Sequence, residues 1–234
     1  MERIIRLALV TAGLIGTVAC GVAEATPADK LESPEAQQSY SIGVVIGEQA
    51  RMGVGEVDQE AFICGFSDAF SGEDTAMTQE QIAQALQDFD ERRTLEAQAE
   101  IAAVAEANRM AGDTYREEFG QDPEVVTLEN GIQYKVVEAG EGAIPAADST
   151  VTVHYKGTFV DGREFDSSYA DDQPVSFPID GVIPGWSEIL TRMPAGSTWQ
   201  VVIPPDLAYG EQGAGGLIGP NSTLVFEMKL IATG

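Results

Sequence analysis

The stretch from Thr78 to Phe119 constrains this chain more than any other. Neither a proline nor a turn cluster occurs in it, and only Gly112 interrupts a run rich in the strong helix formers Ala, Glu, Gln and Arg. Thr78, with Gln81 three residues on, has the form of a capping box, and Ile82, Ala85, Leu86 and Phe89 then supply an apolar face. At about 1.5 Å per residue, the predicted helix is roughly 60 Å long. Beyond Phe89 the large apolar residues thin to Leu95, Ile101, Val104 and Met110, so the middle of the helix has no broad face to bury and reads as a strut between two modules. Two modules also fit a chain of 234 residues, since a domain usually takes about 100 to 200.

Ahead of the strut the pattern is helical from Tyr40, with Val44 and the Ile46/Gly47 turn in register. Gly43 and Gly47 lie four apart on one face, where small residues permit close helix contact either within one subunit or between two. Asp58 is placed to cap a second helix whose Phe62, Phe66 and Phe70 recur every four residues, and Gly72 is placed to stop it. Three aromatics on one stripe demand burial, and helices this few make a poor core alone. Residues 35–122 are therefore expected to form a helical dimerisation region that pairs with a second copy of the chain. Thr26 to Pro34 is Pro, Ala and charge without periodicity, and residues 20–34 read as a disordered tether.

Arg3 and Arg6 precede an apolar run from Leu7 to Ala19, which has signal-peptide length and is too short to span a bilayer comfortably. Residues 1–19 are thus expected to be a signal peptide. Two cleavage readings stand: one before Cys20, at a lipoprotein-like Thr17-Val18-Ala19-Cys20 that would make Cys20 a lipidation site, and one after Ala23-Glu24-Ala25. Either places the mature protein in the periplasm or at the outer membrane. It also leaves Cys64 as the only unmodified thiol, expected to be a small buried hydrophobe without a disulfide partner. The 38 acidic residues against 13 basic ones give a formal charge of −25. Such a surface repels nucleic acid and anionic headgroups, so the expected partners are proteins or neutral ligands, with membrane contact only through the lipid anchor.

Past Gly120 to Pro123 the rhythm changes from helical to alternating. Ile132, Tyr134 and Val136 share one face, Val151 to Tyr155 and Thr198 to Ile203 alternate likewise, and Leu224, Phe226, Met228 and Leu230 lie on one side of a last strand. One short helix is predicted over Gly185 to Met193, closed by Pro194. Residues 123–234 thus read as an antiparallel sheet covered by a single helix, and the whole chain as α+β. A Gly/Pro-rich loop from Pro204 to Asn221 separates the last two strands, longer than structureless loops usually are.

The residue types needed for nucleophilic or metal chemistry are missing. The one histidine, His154, lies on the outward face of its strand, and there is no Gly-x-Ser-x-Gly, no phosphate-cradling loop and no His/Cys cluster. No cofactor and no metal are expected. Five blocks carry a resemblance: Val151-Thr152-Val153-His154-Tyr155-Lys156-Gly157, Asp161-Gly162-Arg163-Glu164-Phe165-Asp166-Ser167-Ser168, Val182-Ile183-Pro184-Gly185-Trp186, Ile203 to Gly210, and Asn221 to Phe226. In this order and spacing they resemble the FKBP-type peptidyl-prolyl cis/trans isomerases. The helical region resembles, less specifically, the dimerisation arm of the exported, macrophage infectivity potentiator-like subfamily.

The resemblance implies an apolar proline pocket formed by Tyr155, Phe165, Asp166, Val182, Ile183, Trp186, Tyr209 and Phe226, with Trp186 as the floor. It adds Phe177, Leu217 and Ile218 as substrate-binding residues. Proline-containing or unfolded polypeptides are the implied substrates, and macrolides the implied inhibitors. Without the resemblance, Tyr155, Trp186 and Phe226 would read as plain core aromatics. The chemistry suits these residues, because turning an X-Pro amide crosses a barrier of about 18–20 kcal/mol without making or breaking a covalent bond. A twisted amide has lost charge separation, so a dry aromatic pocket favours it over the hydrated planar form. On the same resemblance the Tyr209 hydroxyl and the Ile183 backbone N–H would hold flanking carbonyls, and Asp166 would orient the polar edge. Three features depart from the family pattern: Asp171 where a basic residue is common, Val175 where an aromatic is frequent, and a plain loop tip at Ala214 and Leu217. A non-catalytic holdase is the competing class, and the intact aromatic set favours catalysis.

Overall fold

The computed structural model describes residues 31–234 apart from positions 56, 73 and 172. The segments expected to be a signal peptide, a lipidation site at Cys20 and most of a tether lie outside the described residues. Two compact units divide the chain, Met1–Gln87 and Asp88–Gly234.

In the first unit, α1 spans Pro34–Val54 and begins ahead of Tyr40. Ser33 accepts a hydrogen bond from the Ala36 N–H at 3.1 Å, and Pro34 sits in the first turn, where its missing donor is no loss. The tether therefore gives way to helix at Ser33, a capping signal hidden in a stretch that composition alone marks as irregular. For α2 (Gln59–Ser71) the cap and stop are the expected ones: Asp58 Oδ1 accepts from the Ala61 N–H at 3.0 Å, and Gly72 is left-handed at φ 71°. α3 (Gln79–Phe119) is one helix of 41 residues with its capping box closed both ways, the Gln81 N–H to Thr78 Oγ1 at 3.2 Å and the Thr78 N–H to Gln81 Oε1 at 2.9 Å.

No residue of α1 or α2 is buried. Phe66 and Phe70 stack on each other at 5.8 Å, yet Phe70 is 84% exposed. A Cβ added at Gly43 or Gly47 would meet nothing within 4 Å among the described residues, so the close contact read from this pair is not made among them. Cys64 is half-buried and disulfide-bonded rather than a buried thiol.

The second unit holds the later part of α3 and a sheet made of β1 (Val125–Thr127), β2 (Gln133–Glu138), β3 (Thr150–Phe159), β4 (Glu164–Ser167), β5 (Val175–Pro178), β6 (Thr198–Ile203) and β7 (Leu224–Thr233). The strand order is β1-β2-β6-β7-β3-β4, with β5 also paired to β3, and every pair is antiparallel. Alternation along β3 and β7 sends Val151, Val153, Leu224, Phe226, Met228 and Leu230 inward. Against them lies α4 (Pro184–Leu190), which buries Trp186, Ile189 and Leu190. It stops before the predicted Met193, because the Arg192 and Met193 N–H groups bond to Ile189 and Leu190 three residues back, tightening the chain before Pro194 is reached.

Candidate active site

A cavity of about 480 Å³ is lined by residues of this sheet and of α4. β3 supplies Tyr155, β4 supplies Phe165 and Asp166, and β7 supplies Phe226, all brought together by antiparallel pairing that sets Gly157 opposite both Phe226 and Asp166. The entry to α4 adds Val182 and Ile183 and lays Trp186 across the bottom, 6% exposed. Tyr155 and Phe226 meet the Trp186 ring edge-on, at 5.0 Å and 81° and at 5.2 Å and 87°, and Phe177 tilts against it at 5.5 Å. These are the offset and edge-to-face packings that aromatic quadrupoles favour. Gly157 makes the closure possible, since a Cβ there would fall 2.7 Å from Phe165 Cζ and 2.9 Å from Phe226 Cε1.

Among the described residues, the only carboxylate lining the cavity is Asp166, whose Oδ2 accepts from the Tyr155 hydroxyl at 2.6 Å. The neighbouring cations are engaged elsewhere, Lys156 with Glu164 at 3.3 Å and Arg163 with Asp161 at 2.7 Å. Burial, and then the bond to Asp166, push the Tyr155 phenol well above its ordinary range, so it stays a neutral donor. Ser168 clasps the backbone of the same residue: the Tyr155 N–H donates to Ser168 Oγ at 2.8 Å, and the Ser168 N–H donates to the Tyr155 carbonyl at 3.0 Å. His154, on the opposite side of β3, lies 2.9 Å from Ser168 Oγ through Nδ1 and stacks on Tyr169 at 4.6 Å. It is half-covered rather than bare, and it does not line the cavity.

Of the residues singled out in the sequence, the fold brings Tyr155, Phe165, Asp166, Phe177, Val182, Ile183, Trp186, Tyr209 and Phe226 around one cavity. Leu217 and Ile218 do not line it. Paired hydrogen bonds between Ala214 and Ile218, at 2.8 and 3.0 Å, fold the loop tip into a tight turn that tucks Ile218 into the core and leaves Leu217 exposed. Two lining residues were not among the expected site residues, Gly181 and Val175, the latter read only as a departure from the family pattern. Val175 is two residues before Phe177 on the same strand face, a signal that strand alternation carried. Gly181 has no side chain to announce itself.

Residues 142–231 match the family described as FKBP-type peptidyl-prolyl cis-trans isomerase, and residues 35–136 match the domain amino terminal to FKBP-type peptidyl-prolyl isomerase. Over 232 residues the chain is 41% identical to the peptidyl-prolyl cis-trans isomerase Mip of Coxiella burnetii, covering 99% of this chain and 98% of that protein. The chain belongs to the FKBP-type peptidyl-prolyl cis-trans isomerases. This isomerase is also 39% identical to the outer membrane protein MIP of Legionella longbeachae over 227 residues, 97% of each chain. Its fold matches the crystal structure of FkpA from Escherichia coli with a TM-score of 0.76 at 39% identity, covering 86% of this chain and 97% of that one. The α+β architecture and the isomerase activity read from the sequence are thus those of this chain.

Proposed function

We propose that this isomerase turns X-Pro amides in the cavity floored by Trp186, and that it does so as an exported homodimer. The observation that carries the first part is the ring cluster, in which Tyr155, Phe177 and Phe226 pack against a nearly buried Trp186. A proline ring seated there displaces water from the amide. The planar amide loses hydration that the twisted amide needs less, and the barrier to rotation falls without proton transfer to any side chain. The Tyr209 hydroxyl and the Ile183 backbone hold the carbonyls on either side of the proline, while the Tyr155–Asp166 hydrogen bond fixes the polar lip. Proline-containing segments of unfolded chains are the substrates, and macrolides are candidate inhibitors of the same cavity.

The dimer reading is supported by α1 and α2, which bury nothing in a single chain and present Phe62, Phe66 and Phe70 together. A cleft of about 760 Å³ between these helices, lined in part by Gly47, Val54, Phe62 and Ile63, adds apolar surface for a second copy to cover. Export rests on the Leu7–Ala19 run together with the outer-membrane name of the Legionella relative, and Cys20 is the candidate lipid anchor. Proline-limited refolding tests the cavity: Trp186→Ala and Phe165→Ala variants that keep native near-ultraviolet circular dichroism yet catalyse at the wild-type rate would overturn it. Sedimentation equilibrium of the full chain tests the dimer, and the intact mass of the mature protein decides between lipidated and free forms.

A further inference from the structure

A spacing of four residues puts Val104, Asn108 and Gly112 on one stripe of α3, and within the Asp88–Gly234 unit that stripe lies on the end of the long connection from β6 to β7. Asn108 Nδ2 donates to the Pro220 carbonyl at 2.8 Å. Gly219 comes so close that a Cβ there would sit 2.9 Å from Asn108 Nδ2 and 3.7 Å from Val104 Cγ1. One turn further on, Gly112 is the only buried residue among those described in α3. A Cβ on it would overlap the hydroxyl of Thr223, a residue only 2% exposed, and lie 2.9 Å from the Thr223 Cβ. Glycine is a poor helix former, so its presence inside an otherwise strong helix needs a packing reason, and this close seat supplies one.

The seat connects to the cavity in two short steps. Asn221, next to Pro220, donates its N–H to the Gly210 carbonyl at 2.9 Å. Gly210 follows Tyr209, the residue this loop contributes to the cavity wall. Tyr209 is 40% exposed, so its own packing does little to hold the ring and the loop backbone must place it. We propose that Asn108 is a positioning residue for the isomerase reaction: acting through Pro220, Asn221 and Gly210, it sets Tyr209 at the cavity wall, and Gly112 permits the approach. Asn108 itself is placed against the loop, not in the cavity lining. The inference rests on reading Tyr209 as a residue that holds the substrate.

The test uses the full-length chain with Asn108→Ala, Asn108→Asp, Tyr209→Phe and the Asn108→Ala/Tyr209→Phe double variant, read as separate kcat and KM values on a short X-Pro peptide. Asn108→Asp keeps the shape but replaces the donor with a carboxylate facing a carbonyl. Both Asn108 variants are expected to lower kcat/KM about fivefold through KM, the loss of one hydrogen bond's worth of substrate holding. The double variant is expected to be no worse than Tyr209→Phe alone, because both changes remove one contact. A merely structural role would lower the thermal midpoint without this KM shift. Wild-type KM in the Asn108 variants, or losses that multiply in the double variant, would overturn the inference. Wild-type kinetics in Tyr209→Phe would instead fault the reading of Tyr209, a separate outcome. Should Asn108→Ala unfold the chain, Gly112→Ala, which pushes a methyl into Thr223, is expected to give the same KM rise; an unchanged KM there overturns the route as well.

Discussion

The two units of this chain treat aromatic residues in opposite ways. In α2, Phe62, Phe66 and Phe70 repeat with helical regularity and remain exposed, whereas Trp186 and Phe226 of the sheet domain are almost wholly enclosed. Phe62, Phe66 and Phe70 follow a clean period of four, and Phe226 follows a clean period of two with Leu224, Met228 and Leu230, so periodicity identifies the apolar face without saying what covers it. For β7 the cover is α4 and the rest of the sheet, folded from the same chain. For α1 and α2 no cover exists among the described residues, and helices that bury nothing gain little of the packing energy that stabilises helices in proteins. That contrast makes the helical region the natural place for association and the sheet domain the natural place for a self-contained site.

Truncating an aromatic in each unit should break the symmetry of sequence and expose the asymmetry of structure. Trp186→Ala is expected to cost the sheet domain about 3–5 kcal/mol of stability and about a hundredfold in kcat/KM, by calorimetry and a coupled peptide assay. Phe66→Asp combined with Phe70→Asp is expected to leave peptide turnover within about twofold while weakening self-association by at least about a hundredfold in Kd, measured by sedimentation. If the doubly substituted chain sediments like the wild type, the association surface lies elsewhere.

A smaller effect sharpens the picture of the cavity. Gly157→Ala inserts a methyl between Phe165 and Phe226, and is expected to reduce kcat/KM about tenfold with about 1–3 kcal/mol of lost stability. Removal of the first unit gives a gentler comparison still: residues 88–234 expressed alone are expected to turn over short peptides at close to the rate of the longer chain but to refold large proline-limited clients more slowly, since the two linked sites of the proposed dimer would raise effective concentration. Equal refolding by both would remove linkage from the mechanism.

Least of all should pH matter near neutrality. The Tyr155 phenol is shifted upward by burial and by Asp166, so its protonated form, the one that donates to Asp166, persists to higher pH than an ordinary phenol. Stability linked to this group is therefore complete below the ordinary tyrosine range near about 10 and is lost only as pH rises through the shifted value. A kcat/KM profile flat from about pH 6 to about pH 9 is expected, and a tenfold change within that window would count against catalysis by desolvation. His154→Ala should alter the rate less than about twofold, since its ring reaches the site only by way of Ser168.

What the sequence by itself determined is chiefly local. The caps at Asp58 and Thr78 and the stop at Gly72 join residues at most four apart, so their chemistry is complete within a short window of residues, and the inward face of β7 follows from alternation alone. Apart from Phe177, the expected cavity residues were legible through five blocks whose spacing resembles a family, not through any property that separates a pocket aromatic from a core aromatic. Tertiary structure decided the rest, because contacts distant in sequence leave no periodic trace. It turned Ile218 inward and Leu217 outward at a loop tip, where neither helix nor strand rhythm applies. It brought Val175 and Gly181 to the cavity, and it joined Asn108 to Pro220 across 112 positions. Gly112 shows the division most plainly: within the sequence it is a weakness in a long helix, and only the fold reveals Thr223 occupying the space a side chain would need.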